Sequence, residues 1–511
     1  MDGPNPSPRN LGSISAEFDE QFQRHWVATP EFADLLGDQR MIVAGAKGSG
    51  KTAIMRALAD IDSYKKRYIG VYPVKLDGLK FAQLYIAIRR LDDASNHGVV
   101  AISRTAWQNV IAIYILEAAI QHKLIGARLR GQFRRYLSDA GYFNVAASDK
   151  LLGHLERVWQ LLGKLSREND ELEADPVSGL QARQQKVIGA FPSDRRLDEY
   201  LAEVIRAVRA SGKRLLICLD GLDSVVEYSA ESRDLIFAGL IDAIYKCATD
   251  ARLKGALVVK ALIPKELAHG ARARLRDLDK IDQIMASIHW DAANLGEFIK
   301  RRLEQHIRTK GRSFDEVWRE YFPDKVRNDT HGIDEETYSY LLRHTLFRPR
   351  QLLLHVQNIL DAWDRRDVQA PFKVDPKFIP KVVAETNNEL AEYVVNELAL
   401  DFPSLSAFLK SFRGLPSVMG WSEFALRMER FLGVPTERVP EVFTDLYNYG
   451  LFGVAALNGK QGQFAFGFMT RRVERNVASG MKDNSLVAIA PMFVEYCNCK
   501  PSPVGIIAPC V

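Results

Sequence analysis

The chain has 511 residues, 47% of them hydrophobic and 26% charged, more than a single core organises, so two to four globular domains are expected. With 69 basic against 64 acidic residues the formal net charge is +5, which excludes a strongly basic nucleic-acid coat and leaves room only for local patches. The five cysteines, Cys218, Cys247, Cys497, Cys499 and Cys510, are too few for a disulfide-built secreted scaffold and point to a reducing compartment.

Residues 1–16 are rich in Pro, Gly, Ser and Asn and read as a disordered leader, without the charged-then-apolar pattern of a signal peptide. The most apolar helical stretch, around 110–116, is interrupted by Glu117 and falls short of the ~20 residues a bilayer requires. The expected location is therefore the cytoplasm, with no membrane partner. Residues 41–44 (MIVA) form a short β-rich run, and residues 52–58 continue with helical spacing. A second strand is expected over 68–74. From about 79 to 195 the text is mostly helical and reads as an insertion, with a polar, acidic hinge at 168–193.

An amphipathic helix over 196–210 leads into the run LLICL (215–219), which ends in Asp220 as a buried parallel strand does when its carboxyl end faces a site. Another helix and strand follow, at 232–248 and 256–263. This alternation predicts an α/β doubly wound parallel sheet over 17–290. Residues 291–402 read as a helical lid. Three helices at 405–412, 422–432 and 439–449, then two strands around the turn 458–462, predict a winged-helix-like domain over 403–475, with a tail at 476–511.

Between the first strand and its helix lies GAKGSGKT, which satisfies G-x-x-x-x-G-K-[ST] in full. Gly45, Ala46, Lys47, Gly48, Ser49 and Gly50 would turn backbone N–H groups toward phosphate oxygens, and the helix starting behind them adds its positive end. Lys51 would reach the β- and γ-phosphates of ATP, and the Thr52 hydroxyl would enter the Mg²⁺ shell. A P-loop also requires a carboxylate at the end of a nearby strand, and Asp220 is placed to hold the same metal. Asp223 either orients the attacking water or serves as a turn or cap residue.

The form LLICLDGLD resembles STAND-class ATPases, the NACHT group in particular, whose pattern continues with glutamate where this chain has Ser224. Phe347-Arg348-Pro349-Arg350, opening a helix, resembles the G-x-P-R sensor-2 motif of Orc/Cdc6-like AAA+ ATPases, with Phe347 in place of glycine. That resemblance implies that Arg350 senses the γ-phosphate from the lid; a solvated or ion-paired arginine is the alternative. Arg272, Arg274 and Arg276 are either an arginine finger or an exposed charged helix.

Phe18, Phe22 and Trp26 recur at four-residue spacing and are either core or a platform for adenine. The third helix of the C-terminal domain carries Glu441 and Asp445 and no Lys or Arg, which disfavours reading DNA bases; Lys460, Arg471, Arg472 and Arg475 could still meet phosphates. The C-x-C pair near the end has a distant third cysteine, Cys510, but no fourth zinc ligand, and reads as an unpaired tail. The combined expectation is an ATP-hydrolysing switch of slow turnover that controls self-assembly or a protein effector, as in prokaryotic defence or signalling. An Orc/Cdc6-like DNA-associated ATPase is the alternative, and a P-loop kinase or transferase a third.

Overall fold

The computed structural model describes residues 11–76, 84, 87, 96–142, 146, 149–153, 195–221, 230–276, 278–306, 311–328, 333–366, 373–399, 401–455, 464–469, 477–483, 485–500 and 502. The chain divides into two compact units, one spanning Pro30–Ile288 and the other joining Met1–Thr29 to His289–Val511.

The first unit is built on five strands: β1 (Ile42–Gly45), β2 (Tyr68–Lys75), β3 (Arg214–Asp220), β4 (Leu257–Pro264) and β5 (Met285–Ser287). All pair in parallel in the order β2-β3-β4-β1-β5, so the expected α/β parallel sheet is present. Such strands are covered on both faces, and β1 and β4 are accordingly buried along their whole length. Helices α1 (Pro30–Leu36), α2 (Lys51–Asp60), α3 (Asn96–Gln121), α4 (Ala127–Asp139), α5 (Arg195–Ala210) and α6 (Ala230–Thr249) supply those layers.

The described part of the insertion is core rather than appendage. Ser103 Oγ and Trp107 Nε1 in α3 both donate to the carbonyl of Ile236 in α6, at 3.0 and 3.3 Å, and a side chain at Gly239 would run into Ser103. Residues 99–121 are long and apolar enough to cross a bilayer, longer than the sequence reading allowed, yet 72% of their apolar window is buried inside the fold. Glu117 does not end this helix, because its carboxylate is neutralised in place. Lys150 Nζ lies 2.8 and 2.9 Å from its two oxygens, and the Tyr72 hydroxyl donates to it at 3.2 Å. Burial and this carboxylate together push the Tyr72 phenol well above its usual range.

A second buried charge sits in the sheet itself. Lys260, in the middle of β4, is fully buried; its ammonium reaches Asp38 Oδ1 at 2.6 Å and also donates to the Leu35 carbonyl. Arg214, the first residue of β3, pairs with the other oxygen of Asp38. Asp38 has a φ of 58°, a left-handed turn just before β1, so the cluster ties the amino-terminal side of the sheet together.

In the second unit, Leu11 is buried, so the expected leader is part of the fold from that residue on. Phe18, Phe22 and Trp26 do not form one helical stripe. Phe18 ends a 3-10 turn and is 75% exposed, whereas Phe22 opens a separate four-residue turn and is buried. Asp19 breaks the helix between them. Burial alone would raise its carboxyl, but His25 Nδ1 at 2.8 Å and Arg302 Nη2 at 3.3 Å hold it below the usual range.

Helices α7 (Ala292–Leu303), α8 (Phe314–Tyr321), α9 (Thr337–Arg343), α10 (Pro349–Asp364) and α11 (Ile379–Leu398) make this region mainly helical, as expected. An antiparallel pair, β6 (Lys325–Asn328) with β7 (Ile333–Glu336), interrupts it. Beyond it come α12 (Leu405–Lys410), α13 (Trp421–Arg427) and α14 (Val439–Asn448). The expected two-stranded ribbon is half of a larger sheet. Strands β8 (Val418–Gly420), β9 (Phe452–Ala455), β10 (Phe464–Phe466) and β11 (Leu486–Ile489) run antiparallel in the order β10-β9-β11-β8.

Strand β11 lies in what the sequence reading took for a tail, and Cys497 and Cys499 are buried in the same core. The apolar run LVAI, continued by buried Ala490, Met492 and Phe493, is what draws this segment inward. The turn 458–462, the residues Arg471, Arg472 and Arg475, and Cys510 lie outside the described residues.

Candidate functional site

The glycine loop connects β1 to α2, as the motif requires. Its two turns use Gly48 at φ 81° and Gly50 at φ 103°, backbone conformations that side-chain-bearing residues rarely adopt. Gly45 is needed for a different reason. A Cβ there would collide with Ser49 Oγ and lie 2.8 Å from Ile288 Cδ1, so the loop closes only over a bare backbone. Ser49 and Lys51 are buried, Thr52 is half-buried and Lys47 is exposed.

Lys51 folds back over the loop that precedes it. Its ammonium donates to the carbonyls of Gly45 at 2.9 Å and Ala46 at 3.2 Å. The cation is thereby held inside the curve of the loop, where two carbonyl dipoles compensate a charge that burial would otherwise penalise. An anionic ligand in that curve would meet a charge already in position. The first turn of α2 begins at the same point and adds the positive end of its dipole.

Asp220 closes β3 and is buried. Its carbonyl accepts from the Leu76 amide at 2.7 Å, and Gly221 behind it turns the chain at φ 88°. Strand β4 lies between β3 and β1, and α2 packs over all three. The loop and Asp220 therefore sit toward the same carboxyl-terminal edge of the sheet. Cys218, two residues before Asp220, points into the core, where burial pushes its thiol far above its usual range.

Asp223 and Ser224 lie outside the described residues. Arg350 belongs to the other unit, in the first turn of α10 behind Pro349. It is half-buried, and its Nε has no hydrogen-bond partner among the described residues. The neighbouring Arg348 is engaged by Glu397 at 2.7 Å. Phe347 has a φ of 53°, a left-handed position of the kind the resembled motif fills with glycine. Its ring stacks on Phe468 at 5.5 Å and its amide donates to Thr345 Oγ1 at 3.2 Å, contacts that hold the strained backbone. Of the candidate finger arginines, Arg272 pairs with Asp282, Arg274 is half-buried and Arg276 is exposed.

Residues 293–370 match the family model described as the FunZ-associated C-terminal helical domain. The match spans α7 to α10, including Arg350, and falls within the region read from sequence as helical. No curated protein matches the chain.

Sequence reasoning passed over Lys260 and Asp38. The signal was present, since a lone lysine inside the strand LVVKALIP is costly unless something neutralises it. Its partner could not be found by inspection, because Asp38 is 222 positions away.

Proposed function

We propose that the chain binds ATP with Mg²⁺ at the loop Gly45–Thr52 and works as a nucleotide-dependent switch for self-assembly or a protein effector. The observation that carries this reading is the Lys51 ammonium held against the Gly45 and Ala46 carbonyls, within a glycine loop that leads directly into a helix. Lys51 would bind the β- and γ-phosphates, and Thr52 and Asp220 would hold the metal, which would neutralise charge on the phosphates. By its resemblance to sensor-2 arginines, Arg350 would contribute to turnover, as would Asp223 by its place in the DGLD sequence. We read 291–402 as a lid-like domain, and the helices and sheet that follow as winged-helix-like.

The DNA-associated alternative draws no support from α14. Seven of its residues, among them Val442, Phe443 and Leu446, are buried, so the helix packs inward instead of offering a reading face. The decisive experiment is ATP binding by calorimetry to the intact chain and to Lys51→Ala, with sedimentation recorded in the presence and absence of nucleotide. Binding that the variant loses, with a nucleotide-dependent change in sedimentation, is the expected result. Retained affinity in Lys51→Ala removes the site assignment, and unchanged sedimentation of the ATP-bound chain removes the switch.

A further inference from the structure

Helix α4 (Ala127–Asp139) has one face in the core and one in solvent. Phe133 and Leu137 are fully buried, and the rings of Phe133 and Tyr136 lie 4.5 and 5.4 Å from Tyr200 of α5. The opposite face holds Arg128, Arg134 and Arg135, all exposed, with half-buried Arg130 on its flank and Lys123 exposed just ahead of the helix. None of these five cations has a carboxylate partner among the described residues. From residue 121 to residue 138 the chain contains no acidic side chain; the one acid of α4 is its last residue, Asp139, which is exposed and four residues beyond Arg135. On α5, Glu199 and Glu203 are paired with Arg195 and Arg206 of their own helix. A Cβ placed on Gly131, in the middle of the exposed face, meets nothing within 4 Å, so the face is open.

We infer that this face of α4 binds the phosphate backbone of duplex nucleic acid without reading its sequence. Like charges gathered on one helix repel one another by a few tenths of a kcal/mol per pair and bring the fold no stability, so their natural complement is a polyanion. The chemistry of the face selects among polyanions. A membrane-surface helix inserts an apolar face, but here that face is already buried against the protein. A protein partner would need an aromatic or aliphatic anchor, whereas the other exposed residues from Arg128 to Ser138 are Gly131, Gln132 and Ser138. Single strands are held by exposed stacking rings, and the face has none. Arg128 and Arg135 stand seven residues apart on nearly the same line of the helix, about 10 Å, or about three phosphate steps of one strand.

The surface is separate from the nucleotide loop, and so is its test. Anisotropy of a labelled random-sequence 30-bp duplex is measured against the intact chain between 50 and 200 mM salt, beside Lys51→Ala and the triple variant R128A/R134A/R135A. Wild type and Lys51→Ala are expected to bind alike. The triple variant should bind at least about tenfold more weakly at 50 mM salt, with a log–log salt slope shallower by about 3. These substitutions lie on the solvent face, and an unchanged circular dichroism melt confirms that the fold is kept. Equal binding by wild type and the triple variant overturns the inference. So does binding to phosphatidylserine vesicles without binding to the duplex. A wild-type chain that ignores DNA even at 50 mM salt also overturns it.

Discussion

The Lys51 ammonium donates to the Gly45 carbonyl at 2.9 Å, across a loop in which the same glycine has no room for a side chain. Gly45→Ala would force its new methyl against Ser49 and Ile288. It is expected to destabilise the Pro30–Ile288 unit by about 1–3 kcal/mol and to weaken ATP binding, read by denaturant midpoint and calorimetry together. Gly50→Ala, at a φ of 103°, should lose ATP binding through backbone strain rather than collision. Wild-type affinity in either variant would show that the loop tolerates a geometry other than the one described.

Asp220→Asn keeps the size of the side chain and removes its charge. ATP affinity is expected to fall modestly when Mg²⁺ is present, and turnover to fall at least about a hundredfold, because on the proposed reading the metal would lose its anionic ligand. Phosphate release measured with and without Mg²⁺ separates the two effects. Turnover equal to wild type would take Asp220 out of the site.

Asp38 is the partner of both Lys260 and Arg214. Burial already pushes Lys260 down to about 7, so in Asp38→Ala it sheds its proton and leaves a buried amine short of a partner, which should cost about 1–3 kcal/mol, seen as a lower urea midpoint. Lys260→Met removes the charge as well, and its cost should be small by comparison. If the two variants were equally unstable, volume and not charge would control the site.

Acidification should destabilise the second unit. His344 and His355 are buried, and burial pushes both below the ordinary histidine range, His355 to about 4. The groups facing His344 are Asn387 at 2.9 Å, Arg343, His355 and, through Asn387, Glu495; the Arg343 charge adds to the effect of burial. Each histidine is neutral when folded and takes up a proton when unfolded. Their contribution is therefore complete above about pH 6.5 and is lost as pH falls toward 4. At pH 5 His355 should cost about 2 kcal/mol relative to pH 7, and His344 adds to the loss in the same direction. Chemical denaturation at the two pH values, repeated on His355→Gln, checks this: the variant should lose about 2 kcal/mol of the difference, the share of His355.

The parts of the molecule that were readable in advance are those written locally. The glycine loop is eight consecutive residues, and the apolar runs of β3 and β4 announce buried parallel strands. The misread parts depend on contacts between distant positions. Glu117 shortened the apolar stretch on paper, whereas in the fold Lys150 pairs with it inside a longer apolar helix, and residues 486–499 read as a tail, whereas β8 and β9 lie on either side of β11. The regular spacing of Phe18, Phe22 and Trp26 misled because Asp19, between them, turns inward to His25 and Arg302.

One consequence of the strand order concerns tolerance to change. Because β4 separates β1 from β3, the span from glycine loop to Asp220 is two interstrand steps, roughly 9–10 Å, fixed by main-chain hydrogen bonds. Side chains set how firmly the sheet is held but not this interval. Core substitutions along β4 should therefore shorten the lifetime of the folded unit while leaving the gauge of the site intact, so such variants would bind their ligand with native affinity until they unfold.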